Sequence, residues 1–448
     1  MKPPQKRLIL CFALFAAAIG FLYVVFGFQM PAMKRRTFVF ALWFFAEIYL
    51  WISIFKTFDF FSKKEKKNRK NKIIEIIITV LYLFPAVIVV AMMFLLAGKG
   101  IQSIDQSWYL TVMGVCVIQY LIKFLLFFLL LGFDVVTYLI KRFRESSFVI
   151  KSIRKRFLKV ELGVYILCFL LLMYGMIWGA DNFIVRETTI FSYHKALENK
   201  ELKIILVSDL HLATWRTTKP MEKAVRLINE QKPDIICLTG DFVQFSSSEF
   251  IGYIPVLQQL RANYGIYSVL GNHDYGRYSS FPNDEARKKD VQKLIDYQRD
   301  LGWHVLLNQN EKLVLDTLEN SITIAGIEYY SPKKLFVNEG DIDKTFKNID
   351  TSDYVIFLSH DPHAWQTVKE RNLPANLTLS GHTHGMQLGI YNSLIRWSPA
   401  SFLYKQWGGL YADPRFPNKK LYVNVGLGSV GLPARVGVSP EITVIILR

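Results

Sequence analysis

LKIILVSDLHL, residues 202–212, decides the fold. Its first seven residues are apolar except for Lys203 and the closing serine. That pattern fits a strand buried on both faces. The run ends in Asp209-Leu210-His211, which sets a carboxylate and an imidazole two residues apart, on one side of the strand end. Four more runs end the same way. Residues 234–238 lead to Gly240-Asp241, and 266–270 to Gly271-Asn272-His273-Asp274. Residues 354–358 lead to Ser359-His360, and 376–380 to Gly381-His382-Thr383-His384. The chain has 8 histidines, and five of them (His211, His273, His360, His382, His384) fall in these segments. Histidines scattered for packing would not gather beside carboxylates and glycine turns.

The surrounding texture is that of a layered α/β domain. Helical periodicity runs over 220–231, opened by Pro220, and over 249–261 and 284–301. Further strands are expected at 303–307, 312–316, 321–326, 420–425 and 441–447. In open α/β sheets, sites form at the C-terminal ends of strands, where all five segments lie.

The residue types suit a pair of divalent cations. Asp209 and His211 offer mixed oxygen and nitrogen ligands to one ion. Asp241 follows Gly240, whose missing Cβ lets the turn carry the next side chain inward, and its carboxylate is able to bridge two ions. Asn272 supplies a neutral oxygen, His360 and His382 supply nitrogens, and His384 returns to the first ion. Ligands without thiolate favour Mn, Fe or Zn over a cysteine-type structural zinc. Two such ions ~3.5–4 Å apart clamp a phosphoryl group and generate hydroxide at neutral pH. Each segment alone is more often structural, and their joint occurrence reverses that reading. Cys11, Cys116, Cys168 and Cys237 all lie in apolar runs and read as small buried hydrophobes. His194, His304 and His363 read as ordinary strand, surface or turn residues.

LVSDLHL, LTGDF, LGNHDY, LSHDP and LSGHTHG resemble the ordered motifs of calcineurin-like metallophosphoesterases. The tail NVGLGSVGLPARVGVSPEITVI, residues 424–445, resembles the YkuE-like membrane-associated bacterial branch. The resemblance implies a four-layer α/β/β/α sandwich over 201–448. It implies one metal on Asp209, His211, Asp241 and His384, and a second on Asp241, Asn272, His360 and His382. His273 would contact the phosphate and protonate the leaving group, oriented by Asp274. Gly385-Met386 stands where many relatives have a second glycine, but it replaces no ligand.

The first 180 residues differ in character. They carry 24 Lys/Arg against 8 Asp/Glu, whereas the remainder carries 30 against 29. The net charge of +17 therefore belongs to the N-terminal part, and the domain bearing the motifs has no basic footprint for nucleic acid. Five stretches, 8–28, 37–55, 73–97, 109–133 and 160–180, are long and apolar enough to cross a bilayer, where ~20 residues suffice. The N-terminus and the loops 56–72 and 141–159 hold 19 basic residues against 4 in the other two loops. The positive-inside rule puts the basic loops in the cytoplasm and everything beyond residue 180 on the far side, although Lys34-Arg35-Arg36 opposes it. Lys123 and Glu47 inside spans read as packing residues. Residues 386–411, with Trp397, Phe402, Tyr404, Trp407 and Tyr411, read either as a membrane-facing lip or as a packed loop. Arg435 is expected to bind phosphate or to pair with Glu441.

The expected architecture is an all-α transmembrane bundle over 1–180, a linker over 181–200, and the α/β metallophosphoesterase domain over 201–448. The expected activity is hydrolysis of a phosphoester or pyrophosphate on a lipid-linked or envelope substrate. The expected partners are that substrate and the lipid bilayer of the cytoplasmic membrane, and no protein partner is read from the chain. A membrane sensor or scaffold binding a phosphorylated ligand is the rival from another class. Intact His273 and Asp274 weigh against it. A nuclease is disfavoured by the charge balance.

Overall fold

The computed structural model describes residues 45–54, 69–96, 105–143, 147–197, 201–313, 321–332 and 338–448. The first expected span and part of the second lie outside them. The chain divides into two compact units, one comprising Met1–Leu95 and Val115–Leu171, the other Leu96–Gly114 and Leu172–Arg448.

The described residues of the first unit are helical. Its elements are α1 (Phe45–Ile54), α2 (Arg69–Leu96), α3 (Gln106–Phe143) and α4 (Ser147–Tyr174), the last two extending to or from the second unit. Two stretches, Gln106–Leu139 and Ser152–Gly179, are long and apolar enough to cross a membrane. Leu50, Phe127, Leu130 and Leu158 form the interior, while Leu121, Leu125, Leu167 and Leu170 stay exposed. The buried Lys123 Nζ lies 2.6 Å from Glu47 Oε1, donates to the Tyr82 carbonyl at 2.9 Å and sits over the Tyr82 ring. Breaking such a buried pair leaves an uncompensated charge, so a packing role accounts for both residues.

The second unit contains two six-stranded sheets. In chain order the strands are β1 (Ile184–Ile190), β2 (Leu202–Val207), β3 (Ile235–Leu238), β4 (Ile266–Ser268), β5 (His304–Val305), β6 (Gln309–Leu313) and β7 (Ile322–Gly326). There follow β8 (Tyr354–Leu358), β9 (Leu377–Ser380), β10 (Ile390–Tyr391), β11 (Arg396–Trp397), β12 (Gly409–Asp413), β13 (Phe416–Val423) and β14 (Glu441–Leu447). One sheet has the order β1-β14-β2-β3-β4-β5, parallel except where β14 meets β2. The other has the order β12-β13-β9-β8-β7-β6, antiparallel at its two edges and parallel between. β10 and β11 form a separate hairpin.

Strand alternation builds the layers. Ile204 and Leu206 of β2 join Ile324, Ile356 and Leu358 of the other sheet in one shared core. Their neighbours Ile205 and Val207 face outward, packing with α5 (Lys219–Glu230) and α6 (Asp284–Asp300). On the second sheet, Val355 and Phe357 face outward onto α7 (Ala364–Glu370). Both faces of each sheet are therefore apolar, which is why the strands read as unbroken hydrophobic runs.

Three expectations change. Residues 184–190, inside the expected linker, form β1 and pair along their whole length with β14. The expected helix at 249–261 is two short turns, Ser248–Ile251 and Ile254–Leu257, interrupted at Gly252 and Tyr253. The hairpin β10–β11 and strand β12 arise in a segment where no strand was expected.

α4 continues into a π-helical turn, Gly175–Gly179, that belongs to the second unit. There the Arg435 N–H donates to the Gly175 carbonyl at 3.1 Å. A Cβ on Gly179 would stand 1.9 Å from the Arg435 carbonyl oxygen, so this approach requires glycine. Gly179→Val is expected to cost at least about 1–3 kcal/mol, as overpacking does. Thermal unfolding of the full chain in detergent should show a clear drop in Tm. Gly163→Val, at a position with nothing within 4 Å, should leave it nearly unchanged.

Candidate metal centre

All five motifs lie just past the C-terminal ends of parallel strands. β2, β3 and β4 are neighbours in one sheet, and β8 and β9 are neighbours in the other. Backbone hydrogen bonds knit their loops together. The N–H of Asp209 donates to Gly240 O at 2.9 Å, that of His211 to Asp241 O at 3.0 Å, and that of Gly381 to His360 O at 3.0 Å. To bring their side chains inward, five of the seven expected ligands adopt left-handed backbone conformations: Asp209 (φ 55°), His211 (42°), Asp241 (56°), His382 (74°) and His384 (50°). Such conformations are uncommon outside glycine and cluster at functional sites. Gly240 has φ 91°, and a Cβ there would meet the Gly271 nitrogen at 2.3 Å.

The expected ligands converge. Asp209, His211 and His384 form one group with ligand atoms mutually within 4.8 Å, and Asp241, His360 and His382 form another. His211, Asp241 and His273 form a third between them. His384 Nε2 lies 3.1 Å from both Asp209 Oδ1 and His211 Nε2. His360 Nε2 lies 3.1 Å from Asp241 Oδ2 and 3.0 Å from His382 Nδ1. Nitrogens of two imidazoles facing each other at this separation match donors on one tetrahedral or octahedral ion. Asn272 is buried, its Nδ2 donates to Tyr278 Oη at 2.9 Å, and its Oδ1 has no hydrogen-bond partner. An orphaned buried oxygen on a residue of these motifs fits a cation ligand.

Outer contacts fix the rings. His360 Nδ1–H donates to Thr239 O at 2.7 Å, which leaves Nε2 as a lone pair toward the carboxylates. His382 Nε2 contacts Tyr404 Oη at 2.9 Å, which leaves Nδ1 inward. His273 Nδ1–H donates to Gln244 O at 3.0 Å, and its ring stacks on Tyr278 with centroids 4.1 Å apart.

The electrostatics follow from burial. Burial opposes ionisation of Asp209 and Asp241, but His384 beside the first and His360 beside the second more than offset it, so both carboxylates sit well below their usual range. Burial likewise opposes charge on His360, yet Asp241 and Asp209 outweigh it and raise its pKa to about 10. Burial lowers His382 to about 4 and depresses His211 as well.

Asp274 has a different role from the one expected. Its carboxylate does not orient the His273 ring, which Gln244 holds. It accepts four backbone N–H groups, from Gly271, Asp241, Phe242 and Val243, at 2.8, 2.8, 2.8 and 3.1 Å. Glu249 does similar work next door, accepting from the backbones of Ala213, Gln244, Phe245 and Ser246. Arg435 does not pair with Glu441, and its Nη2 lies 3.4 Å from His384 Nδ1 at the edge of the site. It is fully buried and donates to the carbonyls of Val425, Gly426 and Gly428, while Glu441 pairs with Arg186 at 3.2 Å. Sequence reasoning missed the contact of Tyr404 with His382. The two stand 22 residues apart, with no spacing signal to link them.

The family model for calcineurin-like phosphoesterases matches residues 202–386. The uncharacterized metallophosphoesterase YkoQ of Bacillus subtilis (strain 168) is 32% identical over 254 residues, covering 54% of this chain and 83% of that protein. The chain belongs to the calcineurin-like phosphoesterase family. The uncharacterized metallophosphoesterase YkuE of the same organism is also 32% identical, over 250 residues, covering 55% of this chain and 79% of that one. A Danio rerio transmembrane protein with metallophosphoesterase domain is 29% identical over 250 residues, 55% of this chain and 53% of that protein. This phosphoesterase is a metal-dependent hydrolase of a family built on a dinuclear centre.

Asp274→Ala strands four buried amide donors, each at about 1–3 kcal/mol. The expected outcome is a stability loss of several kcal/mol, read by chemical denaturation of the purified chain. Asp274→Asn keeps one carboxamide oxygen and should fall between the two.

Proposed function

We propose that this chain is a membrane-anchored dinuclear-metal phosphohydrolase acting on a phosphoester or pyrophosphate of a lipid-linked or envelope substrate. The observation that carries the reading is the convergence of six buried or half-buried carboxylate and imidazole side chains; the orphaned, buried Asn272 Oδ1 adds to it. In this reading Asp209, His211, Asp241 and His384 hold one ion, and Asp241, Asn272, His360 and His382 hold the other. Mn, Fe and Zn fit the donor set. Two divalent cations there supply Lewis-acid polarisation of the phosphoryl group and acidify water at neutral pH.

The chain's own residues do the rest. Asp241 lies between the two groups, within 3.6 Å of His211 Nε2 and 3.1 Å of His360 Nε2, where its carboxylate would serve both ions. His273 is 8% exposed, and its Nε2 is the nitrogen left free by the Gln244 contact. In this reading it would donate a hydrogen bond to the phosphoryl group and a proton to the leaving oxygen. Tyr278 on one side and Tyr404 on the other hold His273, Asn272 and His382 in place.

Two apolar stretches of membrane-spanning length support anchoring, as does the similarity to proteins named as transmembrane. The excess of basic residues in 56–72 and 141–159 supports a multi-pass chain in the cytoplasmic membrane with its catalytic domain outside the cytoplasm. A bilayer tether confines the site to molecules held at that surface, which favours a lipid-linked substrate.

The protein stripped of metal and reloaded with Mn²⁺ is expected to hydrolyse a chromogenic phosphodiester or phosphomonoester. Asp241→Ala should abolish turnover and the rise in Tm on adding Mn²⁺. His273→Gln should keep the metal-dependent Tm rise and lose about 10²–10⁴-fold in kcat. Full turnover in Asp241→Ala would overturn the assignment. For topology, alkaline phosphatase fused after Arg448 should be active in a bacterial host, and a green fluorescent protein fusion dark. The reverse pattern would place the domain in the cytoplasm.

A further inference from the structure

The hairpin inserted between the last histidine motif and β12 carries apolar side chains that no core covers. Leu388, Ile390, Leu394, Ile395, Trp397 and Phe402 are all exposed, Leu394 by 91% and Phe402 by 82%. Leu394 and Ile395 occupy the turn itself, where short polar residues and glycine are usual. The turn is not loose. Asn392 Oδ1 accepts the N–H groups of Leu394 and Ile395 at 2.9 and 2.8 Å, and the Asn392 N–H donates to Ile395 O at 3.0 Å. A rigid turn that presents two large apolar side chains to solvent is a surface built for an apolar partner.

Two observations identify that partner. First, the hairpin is sutured to the end of the last apolar helix within the same unit. The N–H groups of Gly389 and Tyr391 donate to Val436 O and Gly437 O, Val436 N–H donates to Gln387 O, and Arg435 N–H donates to Gly175 O. On that helix end, Tyr174, Ile177 and Trp178 are exposed as well. Second, residues 386–412 contain Arg396 and Lys405 and no acidic residue. Aromatic and aliphatic side chains with basic ones and no acids are the composition of a segment lying in an anionic headgroup layer.

We propose that residues 386–403 form an interfacial lip that inserts its turn into the anionic bilayer surface and holds the mouth of the metal centre at the headgroup plane. The proposal rests on reading Ser152–Gly179 as a membrane span. The lip is tied to the centre at both ends. His384 precedes it, Ser398 Oγ donates to Gly385 O, and Tyr404 directly follows Phe402-Leu403 and contacts His382 at 2.9 Å. A phosphoester presented at the membrane surface would meet the site without leaving the bilayer.

The test uses the full chain in nanodiscs of phosphatidylethanolamine and phosphatidylglycerol with brominated acyl chains. A fluorescent label is placed at Leu394→Cys, at Leu167→Cys in the span, and at Lys288→Cys on α6, with labelling of the unsubstituted protein subtracted. Relative to unbrominated discs, the labels at 394 and 167 are expected to lose at least half their emission, and the label at 288 almost none. Quenching at 167 without quenching at 394 overturns the lip and leaves the span standing. No quenching at either overturns the span on which the lip depends. Equal quenching at 394 and 288 overturns the lip, because the whole domain then lies against lipid. An unquenched 394 label that self-quenches between copies assigns the face to a second chain and overturns the lip.

Discussion

The burial of two ionised carboxylates, Asp209 and Asp241, at the shared ends of five parallel strands is the constraint on which the rest depends. Each is at most 2% exposed, and neither has a lysine or arginine within ion-pair distance among the described residues. Buried charges of one sign are tolerated only when opposite charge or donors meet them. Here the answer is imidazole, with ring nitrogens of His384, His360 and His211 lying 3.1 to 3.6 Å from the two carboxylates. The remaining donors converge as a divalent cation requires. The strained backbones at five ligand positions are held because they bring these groups to one point.

Holding that geometry falls to residues outside the expected ligand set. Asp274 and Glu249 each gather four backbone amides and so fix the turns after β2, β3 and β4. Arg435, fully buried, gathers carbonyls of the glycine-rich loop at 425–428, whose Gly428 N–H in turn donates to Asp209 O. Acidic side chains collect donors on one side of the centre, and a basic one collects acceptors on the other. Loops that would otherwise leave backbone groups unpaired are thereby made rigid.

What the sequence made legible follows the same physics. Strands buried on both faces announce themselves as unbroken apolar runs, so β2, β3, β8 and β14 were readable to within a residue or two. The ligands were readable because each sits immediately after such a run. β1 was not, because IVRETTI is an edge strand, half-buried, with Arg186 and Glu187 in mid-strand. Its pairing with β14, over 250 residues away, is a tertiary fact without local signature. Asp274 was misread for a related reason. Its neighbour in sequence is His273, but three of its four donors come from a loop more than 30 residues earlier, and a carboxylate surrounded by unpaired amides turns to them.

The segment at 386–411 shows why two sequence readings are not exclusive. Trp407 and Tyr391 are buried together with Val425 and Val438, a small core that fits the packed-loop reading. Phe402 and Trp397, a few residues away, face solvent. The buried half fastens the hairpin to the loop that carries His384, and the exposed half is left open among the described residues of its own unit. An apolar face left open on a rigid support is costly in water, since each exposed square ångström forgoes roughly 25 cal/mol. Leaving such a face open beside Tyr404, and so one hydrogen bond from His382, makes sense if whatever covers it also orients the site.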